Sequence, residues 1–277
     1  MLVYLNEFIP EEEARISVDD RGFLFADGIY EVARIYKGRP FRLDAHIQRA
    51  RNGLRALDIP FDDVAGLKSI TERLMAENGL EEADATLYVQ ITRGVAPRRH
   101  AFPAGDVKPT VYAVVKAYAD HPADFWTKGV AAVTVSDNRW ARCDIKSVSL
   151  LPNVLANQQA HAAGAFEALF VRDGIVLEGS HSNLFAVYDG GLVTYPASNY
   201  VLPGITRAFV FELAEALGIP AREGLIPQAR LFDADELFLS GTTTEIMPVV
   251  QVDGKPVGGG KPGPISVMLQ AALRERV

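Results

Sequence analysis

Lys146 stands in the run Arg142-Cys143-Asp144-Ile145-Lys146-Ser147, after a strand-like stretch and before an apolar one. A side chain at such a junction can point into a cleft between domains. Low-dielectric walls and cationic neighbours would lower its pKa, which an amine needs in order to form a Schiff base. From spacing alone, a solvated surface lysine is the simpler reading. The chain holds 8 Lys against 20 Arg, so lysine chemistry has few candidates. Lys37, Lys108, Lys128, Lys255 and Lys261 each adjoin Gly or Pro and read as turn residues.

Four further stretches could do chemistry. Glu178-Gly179-Ser180-His181-Ser182-Asn183 lies between the β-rich Ile175-Val176-Leu177 and Leu184-Phe185-Ala186-Val187. It is either a polar connection or a strand end whose Glu178 carboxylate faces a cation such as a pyridinium nitrogen. Gly204-Ile205-Thr206-Arg207 opens a helical pattern and offers unpaired N–H groups, a hydroxyl and the positive end of the helix dipole. Ser240-Gly241-Thr242-Thr243-Thr244-Glu245 follows the strand-like Leu237-Phe238-Leu239 with more N–H and hydroxyl donors. Each also fits an ordinary cap. No Walker-type or dinucleotide glycine motif accompanies them, so together they suit a monophosphate better than a polyphosphate. Arg93-Gly94-Val95-Ala96-Pro97-Arg98-Arg99-His100 is equally an exposed turn or a carboxylate receptor, since guanidinium binds carboxylate through two parallel hydrogen bonds.

The elements that must position these residues alternate. Gly28 to Tyr36, a turn at Lys37-Gly38-Arg39-Pro40 and Phe41-Arg42-Leu43 predict a hairpin. Asp44 reads as an N-cap for a helix marked by Ile47, Ala50, Leu54 and Leu57, and a second helix is expected from about Asp62 to Asn78. Two strands, Ala85 to Thr92 and Val111 to Val115, flank the basic loop. Beyond Ala119-Asp120-His121-Pro122 come strands at Val130 to Val135, Ala168 to Val171, Leu184 to Val187 and Glu236 to Leu239. Helices are expected near Val154 to Ala163, Arg207 to Leu217 and Ser266 to Arg274. The pattern predicts two α+β or α/β domains with mixed sheets, residues 1–120 and a larger 121–277 carrying Lys146 and both phosphate loops.

Composition bounds the functions. With 48% hydrophobic residues, 23 Gly and 16 Pro, the chain suits a folded protein and excludes a disordered or fibrous one. Twenty-eight basic residues against 35 acidic ones give a net charge of −7 and no long basic run, which argues against nucleic acid. One cysteine, Cys143, cannot form an internal disulfide, and a cytoplasmic setting is expected. Neither a cleavable signal nor a membrane span is expected from the N-terminus or from any apolar run. Five scattered His and no ligand spacing predict no metal.

The order of lysine, later carboxylate and two phosphate loops resembles the fold-type IV pyridoxal-phosphate enzymes, and within them the D-amino acid transaminases. The resemblance runs essentially end to end, through Asp20-Arg21-Gly22, Asp27 to Val32, Thr92-Arg93-Gly94, Arg142 to Ser147, Glu178-Gly179-Ser180, Gly204 to Arg207 and Thr242 to Ile246. It implies a two-domain fold with the cofactor, pyridoxal 5′-phosphate, in the interdomain cleft. Lys146 would be its covalent anchor and the general acid/base at the substrate Cα. Glu178 would pair with the pyridine nitrogen, and Leu202 would pack on the ring. Arg49, Gly204, Ile205, Thr206, Gly241 and Thr242 would hold the phosphate. His46, Arg139 and Glu167 would form a supporting network. Tyr30, Arg98 and His100 would bind the substrate α-carboxylate, the last two from the partner subunit of a homodimer, with Val32 and His181 beside the substrate.

The activity so implied is transamination of D-amino acids, D-alanine plus 2-oxoglutarate to pyruvate plus D-glutamate. Three positions depart from the family pattern. His181 stands where a small hydroxyl residue is expected, and its imidazole near Glu178 would add a titrating group. Gly241 replaces a common hydroxyl, and Arg99 adds a cation between the two carboxylate ligands. Pro152-Asn153 also occurs in branched-chain L-amino acid aminotransferases, the runner-up, followed by (R)-amine transaminase and aminodeoxychorismate lyase. A non-catalytic vitamin-B6-binding protein on the same fold is the alternative of another class.

Overall fold

Alternation along the strand β3 (Gly28–Tyr36) sends Ile29, Ala33 and Ile35 to one face and Tyr30, Val32 and Arg34 to the other. The first face packs on Ile47, Ala50 and Leu54 of the helix α2 (Leu43–Ala56) and on Leu67, Leu74 and Met75 of α3 (Leu67–Glu77). Each fully buried aliphatic side chain there stabilises the fold by about 1.5–3 kcal/mol. In this computed structural model, which describes residues 1–277, the chain forms two units, Met1–Ala119 with Ile145–Ser149, and Asp120–Asp144 with Leu150–Val277.

The first unit is one antiparallel six-stranded sheet. Its other members are β1 (Leu2–Leu5), β2 (Phe8–Pro10), β4 (Arg39–Pro40), β5 (Ala85–Thr92) and β6 (Thr110–Ala117), in the order β2-β1-β6-β5-β3-β4. A short helix, α1 (Arg21–Phe25), precedes β3, and Asp20 caps it through a hydrogen bond to the Gly22 N–H.

The second unit is a mixed sheet of ten strands: β7 (Val130–Ser136), β8 (Glu167–Arg172), β9 (Ile175–Gly179), β10 (Asn183–Tyr188), β11 (Gly191–Thr194), β12 (Ala221–Glu223), β13 (Ile226–Pro227), β14 (Glu236–Gly241), β15 (Glu245–Val252) and β16 (Lys255–Pro256). Their order is β12-β11-β10-β14-β15-β7-β8-β9-β13, with β16 on β15. Asn183 of β10 also pairs with Glu178 of β9, which closes the run from β10 through β14, β15, β7, β8 and β9 back on itself. The helices are α4 (Asp124–Lys128), α5 (Leu151–Ala162), α6 (Ile205–Ala216) and α7 (Pro264–Arg274). Phe209, Val210 and Leu213 form the buried stripe of α6, and Phe185 stacks on Phe238 at 5.0 Å between ring centroids.

Three expectations need correction. Lys146 belongs with the first unit, because the Tyr30 N–H donates to its carbonyl at 2.9 Å, Ser147 bridges Ile29, and the Val148 N–H donates to Gly28 O at 3.1 Å. Backbone pairing with β3 therefore overrides its place in the chain order. Asp44 is not an N-cap. The helix starts at Leu43, capped by Arg42 in the left-handed region two residues before Asp44, and exposed Asp44 pairs with Lys68. The second helix begins at Leu67, since residues 63–66 form turns.

Gly94 has φ +97°, and a Cβ there would overlap the Lys108 carbonyl oxygen. Its own carbonyl receives the Arg21 N–H at 2.9 Å. Gly94→Ala should cost about 2 kcal/mol or more from backbone strain and the overlap. Urea unfolding compared with wild type measures this, and a loss below about 0.5 kcal/mol would contradict the account.

Candidate active site

The backbone pairing that fixes Lys146 also places its amine. Nζ donates to Tyr30 Oη at 3.3 Å and lies 4.3 Å from the centre of the Tyr30 ring. Tyr30 stacks on Tyr88 at 6.0 Å, and Tyr88 donates to Gln90 Oε1 at 2.7 Å. Burial, with Tyr30 and Tyr112 adding to it, pushes the Tyr88 phenol up to about 12, so it is neutral at physiological pH. Val32 follows Tyr30 on the same face of β3 and is half-buried.

On the opposite face, Glu31 sits among apolar neighbours and needs compensation. Arg49 supplies it with a two-pronged pair, Nε to Oε1 at 2.7 Å and Nη2 to Oε2 at 2.8 Å, and His46 Nδ1 lies 2.8 Å from Oε2. Burial works to raise the Glu31 carboxyl, but Arg49 and His46 outweigh it and hold it at about 2. Burial is also the main reason that the His46 pKa is lowered, with Glu31 acting against it. Arg49 and His46 lie three residues apart on α2, so they reach one carboxylate together.

The basic loop divides. Arg93 is buried, paired with both Asp27 oxygens at 2.8 and 3.1 Å and donating to the carbonyls of Asp58 and Leu57. It is therefore committed to the fold. Arg98, Arg99 and His100 are exposed, and Arg98 and His100 flank the Phe25 ring at 5.2 and 5.6 Å. Arg21 fixes the loop by donating to Arg99 O at 2.6 Å.

In the second unit, Glu178 stands at the strand pair that closes the sheet. Its Oε1 accepts from Arg139 Nη1 at 2.6 Å, and its Oε2 accepts from Asn183 Nδ2 and the Leu202 N–H, both at 3.0 Å. Complete burial pushes its carboxyl up to about 7, against the pull of Arg139. Arg139 is itself held by Asp137, whose side chain is buried and also binds Arg172. Asn183 donates to Leu202 O as well, and its Oδ1 fills the space that a Cβ on Gly204 would need. Gly204 therefore allows the start of α6 to approach β10.

Gly204 precedes α6 without a side-chain cap, so the N–H groups of its first turn, at Ile205 and Thr206, can serve an anion. Thr242 and Gly241 lie at the turn between β14 and β15. Ser240, opposite Asn183, has a buried Oγ with no hydrogen-bond partner. Glu167 accepts from the His181 N–H at 2.6 Å and Ser182 Oγ at 2.9 Å, shaping the turn that follows Glu178. The His181 ring is half-exposed, with Nδ1 3.2 Å from Glu167. The expected titrating neighbour of Glu178 is thus a neighbour of Glu167, because the turn directs the ring outward.

Residues 28–252 match the family of class IV amino-transferases, and the chain belongs to that family. Fold and family together define a fold-type IV aminotransferase. The chain is similar to D-alanine aminotransferase from Staphylococcus aureus (strain COL), 41% identical over 277 residues that span 99% of this chain and 97% of the relative. It is likewise similar to D-alanine aminotransferase from Bacillus licheniformis, 39% identical over 278 residues, 100% and 96% of the two chains. Among solved structures it is similar to the branched-chain amino acid aminotransferase from Escherichia coli, with TM-score 0.90, 29% identity and coverage of 99% and 92%.

Glu31, Asp137, Asn183 and Ser182 received no role from sequence reasoning. A signal existed for Glu31, a charge on the core face of an alternating strand, with Arg49 and His46 at helical spacing. For Asn183 there was none, because its importance comes from sheet closure.

The two carboxyls act oppositely with pH. Glu31 is depressed from 4.5 to about 2, so its stabilisation is complete above pH 4.5 and disappears as pH falls toward 2. Glu31→Gln should cost about 3 kcal/mol at pH 7, and the deficit should shrink through that window. Glu178 is raised to about 7, so cofactor-free protein should lose stability as pH rises from 4.5 to 7. Glu178→Gln should remove that slope. Unfolding midpoints of both variants from pH 2.5 to 8 test this, and parallel curves would refute it.

Proposed function

We propose that the protein exchanges amino groups between D-amino acids and 2-oxo acids, converting D-alanine and 2-oxoglutarate to pyruvate and D-glutamate, with pyridoxal 5′-phosphate as cofactor. The observation that carries this reading is the 39 and 41% identity to D-alanine aminotransferases over nearly the whole chain. The donor sets fit such a cofactor: an amine beside a phenol, a buried carboxylate for a ring nitrogen, an uncapped helix start with Thr206, and the Gly241-Thr242 turn. When bound, the cofactor supplies the electron sink for the pair left on the substrate Cα.

The chain's own groups do the rest. Lys146 anchors the cofactor covalently and moves the proton at Cα, its amine steadied by Tyr30 Oη. Glu178 keeps the ring nitrogen protonated, and Arg139 and Asn183 hold that carboxylate still. Ile205, Thr206 and Thr242 take the phosphate, with Gly204 and Gly241 giving close backbone approach. Leu202 packs on the ring. Arg49 serves the phosphate from α2, where Glu31 fixes its guanidinium. Tyr30, Arg98 and His100 bind the substrate carboxylate, and the side on which it is held decides which enantiomer presents its Cα hydrogen to Lys146.

The working form is a homodimer whose loops carry Arg98 and His100 into the partner's site. The exposed apolar stripe Leu151, Val154 and Leu155 on α5 supports a second copy. No helix is long and apolar enough to cross a membrane, and we assign the protein to the cytoplasm. A second reading, a branched-chain L-amino acid aminotransferase, draws on the likeness to the Escherichia coli structure. Its lower identity and the Arg98-Arg99-His100 cluster place it second.

A panel of D- and L-amino acids with 2-oxoglutarate decides between them. D-alanine should exceed L-leucine at least tenfold in kcat/KM, a difference of about 1.4 kcal/mol in transition-state binding. The reverse order would overturn the assignment. Lys146→Ala should lose the visible absorbance of bound cofactor together with all turnover, and Arg98→Ala should raise KM for D-alanine.

A further inference from the structure

The hairpin of β14 and β15 carries Thr242. Gly241 and Glu245 are opposite one another, so the loop is Thr242-Thr243-Thr244, and Glu245 has φ +54°. The residue that closes the turn and opens β15 is therefore left-handed, a conformation that favours glycine. A buried glutamate stands there instead.

What holds it is the C-terminal helix. Gln270 Nε2 and Arg274 Nε each reach Glu245 Oε2 at 2.6 Å, and Gln270 Oε1 accepts the Ile246 N–H at 3.0 Å. Arg274 also donates to Asp120 Oδ2 at 3.0 Å. At its other end the same helix is capped by Glu236, which accepts the N–H groups of Ile265 and Ser266, both at 2.8 Å, and the Ser266 hydroxyl at 2.7 Å. The helix is thus fixed to the first residue of β14 and the first residue of β15, and the threonine turn lies between those attachments.

We propose that Gln270 is a positioning residue for the cofactor phosphate: it brackets Glu245 and Ile246 and so holds the Gly241–Thr244 turn in the shape that receives the anion. This rests on the reading of Thr242 as a phosphate ligand. Loss of the bracket leaves the left-handed Glu245 with one fewer donor and frees the turn to relax, while the ring-binding groups around Glu178 keep their partners.

The test compares pyridoxal 5′-phosphate with pyridoxal, which lacks the phosphate, in cofactor-stripped full-length enzyme titrated by visible absorbance. Gln270→Met keeps the length of the side chain and removes both hydrogen bonds. It should weaken pyridoxal 5′-phosphate roughly tenfold, the scale of one or two hydrogen bonds, and leave pyridoxal unchanged. Gln270→Glu, which keeps the acceptor for Ile246 but sets a carboxylate against Glu245, should show the same selective loss. Equal weakening of both ligands, or no weakening in either variant, overturns the proposal. Thr242→Val separates it from the underlying reading: if Thr242→Val binds pyridoxal 5′-phosphate as tightly as wild type does, the phosphate assignment itself fails.

Discussion

A carboxyl group inside a protein must find donors for its oxygens, and the arrangement within each unit follows from that demand. Glu31, Glu167, Glu178, Glu236 and Glu245 are all buried, each on a β-strand. Each draws another element toward the sheet. Glu31 fixes the rotation of α2 because Arg49 and His46 must reach it. Glu236 receives the start of α7, and Glu245 receives its last turn. Glu167 takes its donors from the tight turn after Glu178, which makes that turn rigid. Apolar burial supplies most of the folding free energy, but it is non-directional. The carboxylates specify which helix face meets which strand end.

Glu178 carries the sharpest version of this constraint. Its partners come from three places, Arg139 in the loop after β7, Asn183 on β10 and the Leu202 N–H before α6. They converge because the Asn183 and Glu178 pairing closes the sheet. Burial raises the carboxyl to about 7 even with Arg139 in place, so it holds its proton more tightly than an exposed carboxyl does.

Much of the fold was legible in the sequence because its elements obey simple periods. β5 alternates over most of its length, β3 and β6 over part of theirs, and α2, α6 and α7 carry apolar stripes. Lys146 was legible as a residue type at a junction, but its unit was not, since that depends on backbone hydrogen bonds with β3, from the Tyr30 N–H to the Lys146 carbonyl and from the Val148 N–H to the Gly28 carbonyl, far away in the chain. Asp44 misled because a good capping residue one position inside a helix looks like a cap when Arg42 occupies the left-handed position unannounced. His181 misled for a related reason: proximity in sequence to Glu178 suggested proximity in space, whereas the turn sends the ring to Glu167. Short edge strands such as β12 and β13 leave almost no periodic trace, and only pairing defines them.

The basic loop shows how a local field arises in a chain of net charge −7. Arg93 looks in sequence like one member of a cationic cluster, yet its guanidinium is consumed by Asp27 and two carbonyls. Arg21 spends its charge the same way, on Asp27 and Arg99 O. Two arginines neutralised underneath form a stiff base, and the positive charge that remains, on Arg98 and Arg99 with His100 beside them, is confined to the exposed tip. A flexible loop with the same charges would lose much of its attraction for an anion to the entropy of ordering it. Here that ordering is completed when the loop folds onto α1, with Arg98 and His100 held against Phe25 and the Arg99 carbonyl held by Arg21.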